Sequence, residues 1–221
     1  MKGGKLDRDR STKVIAIVAL CVAVFGLSVG FAAFSNDLTI KSEATVKPNA
    51  SDFDVNFSSS DTSETDGTVT ATTSNPSVTA QDATINNATA PTISGIKVEF
   101  TEPGQSAKYS FFAHNAGKYN AFLNNVTFKN AKDANANIVC VAAEGTNANM
   151  VASACDGISI KVKVGTETFE GSTPTIASHE LTIDHYEPVE VTIEYASGAA
   201  RADGDFQVNI GDIVLTYGSV D

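Results

Sequence analysis

Apolar and polar residues alternate along most of this chain with the period of a β-strand. The pattern is cleanest over residues 158–164, where Ile158, Ile160, Val162 and Val164 fall on one side and Ser159, Lys161 and Lys163 on the other. Successive side chains of a strand point to opposite faces, so such a segment offers one face to a core and one to water. The same alternation predicts strands over 189–195 (Val189, Val191, Ile193, Tyr195), 108–114 (Tyr109, Phe111, Ala113), 93–100 (Ile96, Val98, Phe100) and 122–128 (Phe122, Val126, Phe128). Shorter runs predict strands at 38–46, 53–57, 138–142 and 181–183. Residues 69–73 and 83–88 are rich in Thr and Ala and read as exposed or edge strands. Residues 206–217 read as one strand whose phase slips at Gly211, which predicts a bulge there.

Turn chemistry separates these runs. Pro103 followed by Gly104 is the order a type II turn wants. Asn115 to Lys118 is a second turn, and Gly165-Thr166 is a hairpin turn. Residues 58–66 are a loop without an apolar side chain, and 145–154 is an insertion with room for one helical turn. Helical periodicity is nearly absent from these segments, and no repeat or long linker divides them. The expected fold is an all-β antiparallel sandwich in one domain, over residues 35–221.

One stretch breaks the pattern. Residues 14–34 are 21 consecutive residues without a charge, preceded by Lys5, Arg8, Arg10 and Lys13 in a basic segment, 1–13. As a helix the run would extend roughly 30 Å, the thickness of a bilayer's hydrocarbon core. The basic flank places the N-terminus in the cytoplasm and sends the rest of the chain across the membrane. Two readings stay open. The run is a retained transmembrane helix, or it is a signal peptide cut between Ala33 and Phe34, where small residues suit a signal peptidase. The expected location is the cell membrane with an extracellular C-terminal domain, or the exterior after cleavage.

Charge and cysteine content agree with export. The chain has a formal net charge of −11; without residues 1–33 there remain 10 basic and 24 acidic side chains, a charge of −14. A surface of that sign repels nucleic acid, which is therefore not an expected partner. Cys21 lies inside the apolar run and reads as a buried thiol. Cys140 and Cys155 fall on the exported side, where disulfides persist, and are expected to pair.

Catalytic and metal motifs are missing. The sequence has no G-x-S-x-G, no phosphate-binding glycine loop and no H-E-x-x-H. His114, His179 and His185 read as surface or hairpin residues. Asp203, Asp205 and Asp212 could supply hard oxygens to a calcium ion, but Asp203-Gly204-Asp205 is also ordinary turn chemistry, and the turn is the expectation. The sequons at Asn49, Asn56, Asn87 and Asn125 are what an Asn/Ser/Thr-rich chain yields by chance. No catalytic residue, metal or cofactor is expected, and the chain does not read as an enzyme.

Three segments together carry a family likeness. These are the juncture Gly30-Phe31-Ala32-Ala33-Phe34-Ser35-Asn36-Asp37 leading into Leu38, the Glu102-Pro103-Gly104-Gln105 turn followed by Phe111 to Gly117, and the closing Gly204 to Tyr217. The chain resembles the TasA/camelysin family of exported bacterial biofilm-matrix and surface proteins, with their signal peptide cut just before a Phe. The resemblance implies a jelly-roll sandwich and a structural role by self-assembly or with other cell-surface proteins. It also implies that a strand over 38–46, including Leu38, Ile40 and Val46, can be donated to the sheet of the next subunit. Such donation saturates an exposed edge with backbone hydrogen bonds. Some members are described as metalloproteases; without H-E-x-x-H that activity is not expected here. The alternatives are a membrane-anchored binding module, whose loops 58–66 and 145–154 would contact a glycan or protein, and an exported metal-dependent hydrolase.

Overall fold

The computed structural model describes residues 35–40 (backbone only), 53–62, 67–87, 92–131, 133, 136–171, 175–176 and 179–218. The expected membrane span or signal peptide at 14–34, with Cys21, Ala33 and Phe34, lies outside the described residues, as does Val46. Among the described residues no helix is long and apolar enough to cross a membrane. The compact unit that holds the strands runs from Asn36 to Val220.

The described structure is all-β, with one short helix. In chain order the strands are β1 Ser35–Ile40, β2 Val55–Ser58, β3 Thr68–Val69, β4 Thr72–Thr73, β5 Thr79–Gln81, β6 Ala83–Asn86, β7 Thr92–Ser94, β8 Lys97–Phe100, β9 Ser106–Asn115, β10 Ala121–Thr127, β11 Ile138–Ala142, β12 Ile158–Val164, β13 Glu167–Phe169, β14 His179–Leu181, β15 Tyr186–Tyr195, β16 Phe206–Ile210 and β17 Ile213–Gly218. The helix, α1, is Ala148–Cys155.

Four sheets result. Sheet I has the order β1-β17-β10-β14 and sheet II the order β13-β12-β15-β9-β2, with β4 also on β9. Sheet III is β11-β16-β8-β5 and sheet IV is β3-β6-β7. The centre of sheet II is long and regular: β15 pairs β9 from Tyr186↔His114 to Glu194↔Ser106, and β12 pairs β15 from Ile158↔Tyr195 to Val164↔Val189. Both registers put the inward positions of the period-two pattern in line.

The core lies between the sheets. Val189, Val191, Ile193 and Tyr195 of β15 and Ile158, Ile160, Val162 and Val164 of β12 are buried, as alternation requires. Sheet III covers one end of this face. Tyr195 meets Phe206 edge-on at 5.4 Å and Phe100 at 5.8 Å between ring centres. Within sheet II, Phe57 meets Phe111 edge-on at 5.0 Å. Aromatic rings remove large apolar areas from water and favour such edge contacts.

The turns follow their sequence signals. Gly104 has φ 90°, the left-handed value a type II turn needs at that position. Gln105, fully buried, closes the turn from inside: its Oε1 accepts from the Thr101 and Glu102 amides, and its Nε2 donates to Thr101 Oγ1.

The departures from expectation include segments in which the chain leaves one sheet for another. The expected strand 93–100 breaks at Gly95 (φ 82°) into β7 of sheet IV and β8 of sheet III. The expected bulge at Gly211 is a larger event: β16 belongs to sheet III and β17 to sheet I, so the phase slip marks a change of sheet. Asn137 fastens that step, donating through Nδ2 to the Asp212 carbonyl, accepting from the Lys129 amide and receiving the Gly211 N–H on its own carbonyl. The segment 83–88 is not an exposed edge, because β6 is the middle strand of sheet IV with Ala83 and Ile85 buried. A bulge does occur, in β10: the register to β17 shifts between Leu123 and Asn125, which turns Leu123 inward and leaves Phe122 half-buried.

Candidate functional site

Sheet I ends in β1 on one side and β14 on the other. β1, which holds Leu38 and Ile40, is the edge strand hydrogen-bonded to β17. It is connected to β2 through residues 41–54.

Sheet III ends in β11. Two apolar side chains of β11, Val139 and Val141, point to solvent at 59% and 47% exposure. Cys140 lies between them on the inner side and forms a disulfide with Cys155 at the end of α1, with Cα atoms 6.1 Å apart. The cross-link ties an edge strand to a helix that buries only Val151 and Ala154.

The acidic turn at 203–205 serves the same helix. Asn147 caps α1 by accepting from the Asn149 amide, and the Asn147 amide donates to Asp203 Oδ1 at 2.9 Å. The Asp205 carbonyl accepts from the Ala143 amide and from Thr146 Oγ1. Asp212 lies at the sheet change described above, so the three aspartates do not form one site. Among the described residues no group of three or more His, Cys, Asp or Glu side chains is arranged to hold a metal ion.

Two of the three histidines, expected at surface or hairpin positions, are buried. His114 stacks on Tyr186 at 3.9 Å between ring centres and sits 3.4 Å from Asp184. Asp184 has φ 57°, in the left-handed region that Asp tolerates better than most residues. Beside them Asn115 is fully buried. Its Nδ2 donates to the Tyr119 and Leu181 carbonyls, its Oδ1 accepts from the Gly117 amide, and its backbone bonds the Asp184 and His185 backbone. One side chain thus holds the β9–β10 loop against the β14–β15 loop.

His179 is the second buried histidine. It is 9% exposed; its Nε2 is 2.8 Å from Glu187 Oε1 and its Nδ1 3.6 Å from Glu167 Oε2. Glu187 occupies an inward position of β15, in register with Ala113 and, beyond it, Phe57. On sheet I the row His179–Leu123–Tyr217 runs opposite. Glu187 Oε2 and the Tyr217 hydroxyl are buried and have no hydrogen-bond partner among the described residues. The hydrogen bond to Glu187 raises the His179 pKa above its ordinary value; partial burial opposes this, and the charges of Glu187 and Glu167 add to it. Burial, and then the Glu187 charge, push the Tyr217 hydroxyl far above its ordinary range, so it stays protonated.

Gly165 makes room for this cluster. It begins the two-residue β12–β13 turn with φ 55°, and a Cβ there would stand 2.5 Å from Glu187 Oε1. Gly165→Ala is expected to destabilise the protein by about 1–3 kcal/mol through backbone strain alone, with displacement of Glu187 in addition. A lowered urea midpoint, together with a downward shift of the His179 titration, would report both effects.

Sequence reasoning missed Glu187 and the role of His179, although the alternation holds a signal for both. Carrying the phase of Val189, Val191, Ile193 and Tyr195 back two residues lands on it, and the phase of Leu181 carried back two lands on His179. Compared with known proteins, the chain matches no family model, no curated protein and no solved structure.

Proposed function

We propose that this chain is an exported structural protein of the cell surface or extracellular matrix that acts by assembly, through exchange of its N-terminal strand between copies. The observation that carries this reading is the place of β1: an edge strand on β17, joined to β2 by residues 41–54. A strand in that position can be replaced by the same strand of a neighbour with every backbone bond re-formed, which makes strand addition a low-cost route to oligomers. The uncharged run at 14–34, the acidic remainder and the Cys140–Cys155 disulfide support export. In this reading the sheets form a jelly roll of the TasA/camelysin kind, and the partners are further copies or other surface proteins. Electron microscopy of the 34–221 fragment should show fibres or chains, whereas a fragment lacking 34–47 should remain monomeric. Monomers in both samples would remove the proposal.

A further inference from the structure

His179 stands where two sheet edges meet. Its own strand, β14, is the edge of sheet I, and β13, which carries Glu167, is the edge of sheet II. Glu187 comes from β15, two strands inward from β13. The ring therefore has a carboxylate at each nitrogen, from two different strands of the opposite sheet. A neutral imidazole has one N–H and one lone pair, whereas an imidazolium has two N–H groups. Only the charged ring can present a donor to both carboxylates.

A neutral ring that keeps the 2.8 Å bond to Glu187 turns the lone pair of Nδ1 toward Glu167. The two glutamates are not equally able to respond. The Glu187 side chain is 13% exposed and wedged against Gly165, while that of Glu167 is 46% exposed and can rotate into water. Loss of the proton is thus resolved at Glu167.

We propose that His179 is a proton-operated clasp that, when doubly protonated, ties the β12–β13 hairpin to β14 and, on losing a proton, releases the hairpin from sheet I. The titratable groups facing it are Glu187 from β15 and Glu167 from β13. β10 presents Leu123, and Tyr217 of β17 lies beyond it in the same row. The neighbouring Glu180 is exposed and bonds Asn120 instead. Because the folded pKa is raised above the ordinary 6.5, the clasp is fully closed below that value and opens as pH rises through the folded value. An unclasped β13 is a loosened sheet edge, the kind of surface on which a further strand can pair.

The test uses the full chain in detergent micelles. With three histidines in the sequence, labelled imidazole signals can be assigned from single His→Gln variants. His179 should titrate above the ordinary histidine value of 6.5. Amide exchange over Glu167–Phe169, corrected for its intrinsic pH dependence, should accelerate about tenfold through the His179 midpoint, while the central strand β12 stays protected. Glu167→Ala, at an accessible position, should leave β13 exchanging at the fast level throughout, with His179 still titrating above the ordinary histidine value because Glu187 remains. A His179 midpoint at or below the ordinary histidine value of 6.5 would overturn the proposal. So would β13 protection that is flat across the titration, or a Glu167→Ala variant with the wild-type pH dependence.

Discussion

Asn115→Ala is expected to cost about 3–5 kcal/mol, a large share of the stability of a domain this size. The side chain makes three hydrogen bonds in a fully buried position, and its removal strands the Leu181 and Tyr119 carbonyls and the Gly117 amide. Each buried polar group left without a partner costs about 1–3 kcal/mol. Urea denaturation should therefore show a midpoint far below wild type. Asn115→Asp separates this cause from simple loss of packing. It keeps the size and the acceptor for Gly117 but sets a carboxylate oxygen against two carbonyls. At neutral pH it should be at least as damaging as alanine, and it should recover in part at acidic pH, where a protonated carboxyl regains one donor. An alanine variant within about 1 kcal/mol of wild type would refute the role assigned to this residue.

Removing the disulfide is the second large effect. A closed loop spanning 15 residues confines the unfolded chain, and its loss is expected to cost about 3 kcal/mol. The double variant Cys140→Ser/Cys155→Ser should match the reduced wild type in urea midpoint. The damage should begin locally, because α1 has little else to hold it: two buried side chains, its Asn147 cap and the Asp203 contact to that cap. Limited proteolysis of the reduced protein should thus cut first within 143–157, before the central strands of sheet II become accessible. Cleavage elsewhere at the same rate would show that the bond supports the whole fold instead of this corner.

How far the fold could be read from the residues depended on how long each strand stays in one sheet. β9, β12 and β15 run through the centre of sheet II with one face in the core, so alternation alone located them and their inward residues. At 93–100 and 206–217 apolar residues continue across a change of sheet, and a one-dimensional pattern cannot tell that from a bulge. Gly95 and Gly211 marked the places without revealing the event. The candidate site was less legible. Glu187 and His179 obey the alternation in position but violate it in chemistry, since an ionisable side chain at an inward position is read as the end of a strand. What keeps them there is a pairing between β14 and β15 side chains across two sheets, a contact with no signal in local order. Asn115 was hidden for a similar reason: as part of an Asn-Ala-Gly turn it reads as exposed, and its burial follows from the β14–β15 loop closing over it.

The neighbours β1 and β17 are the earliest and the latest strands of the described chain. Contacts between segments so distant along a polypeptide form slowly, since a long loop must close before any bond repays it. During emergence from N- to C-terminus, β1 has no mate until every other strand has appeared, and β17 then arrives with an open flank. In the proposed assembly, a segment from an adjacent molecule competes for the flank during that interval on equal backbone terms, so crowding at the moment of synthesis favours closure on a neighbour over closure of the chain on itself.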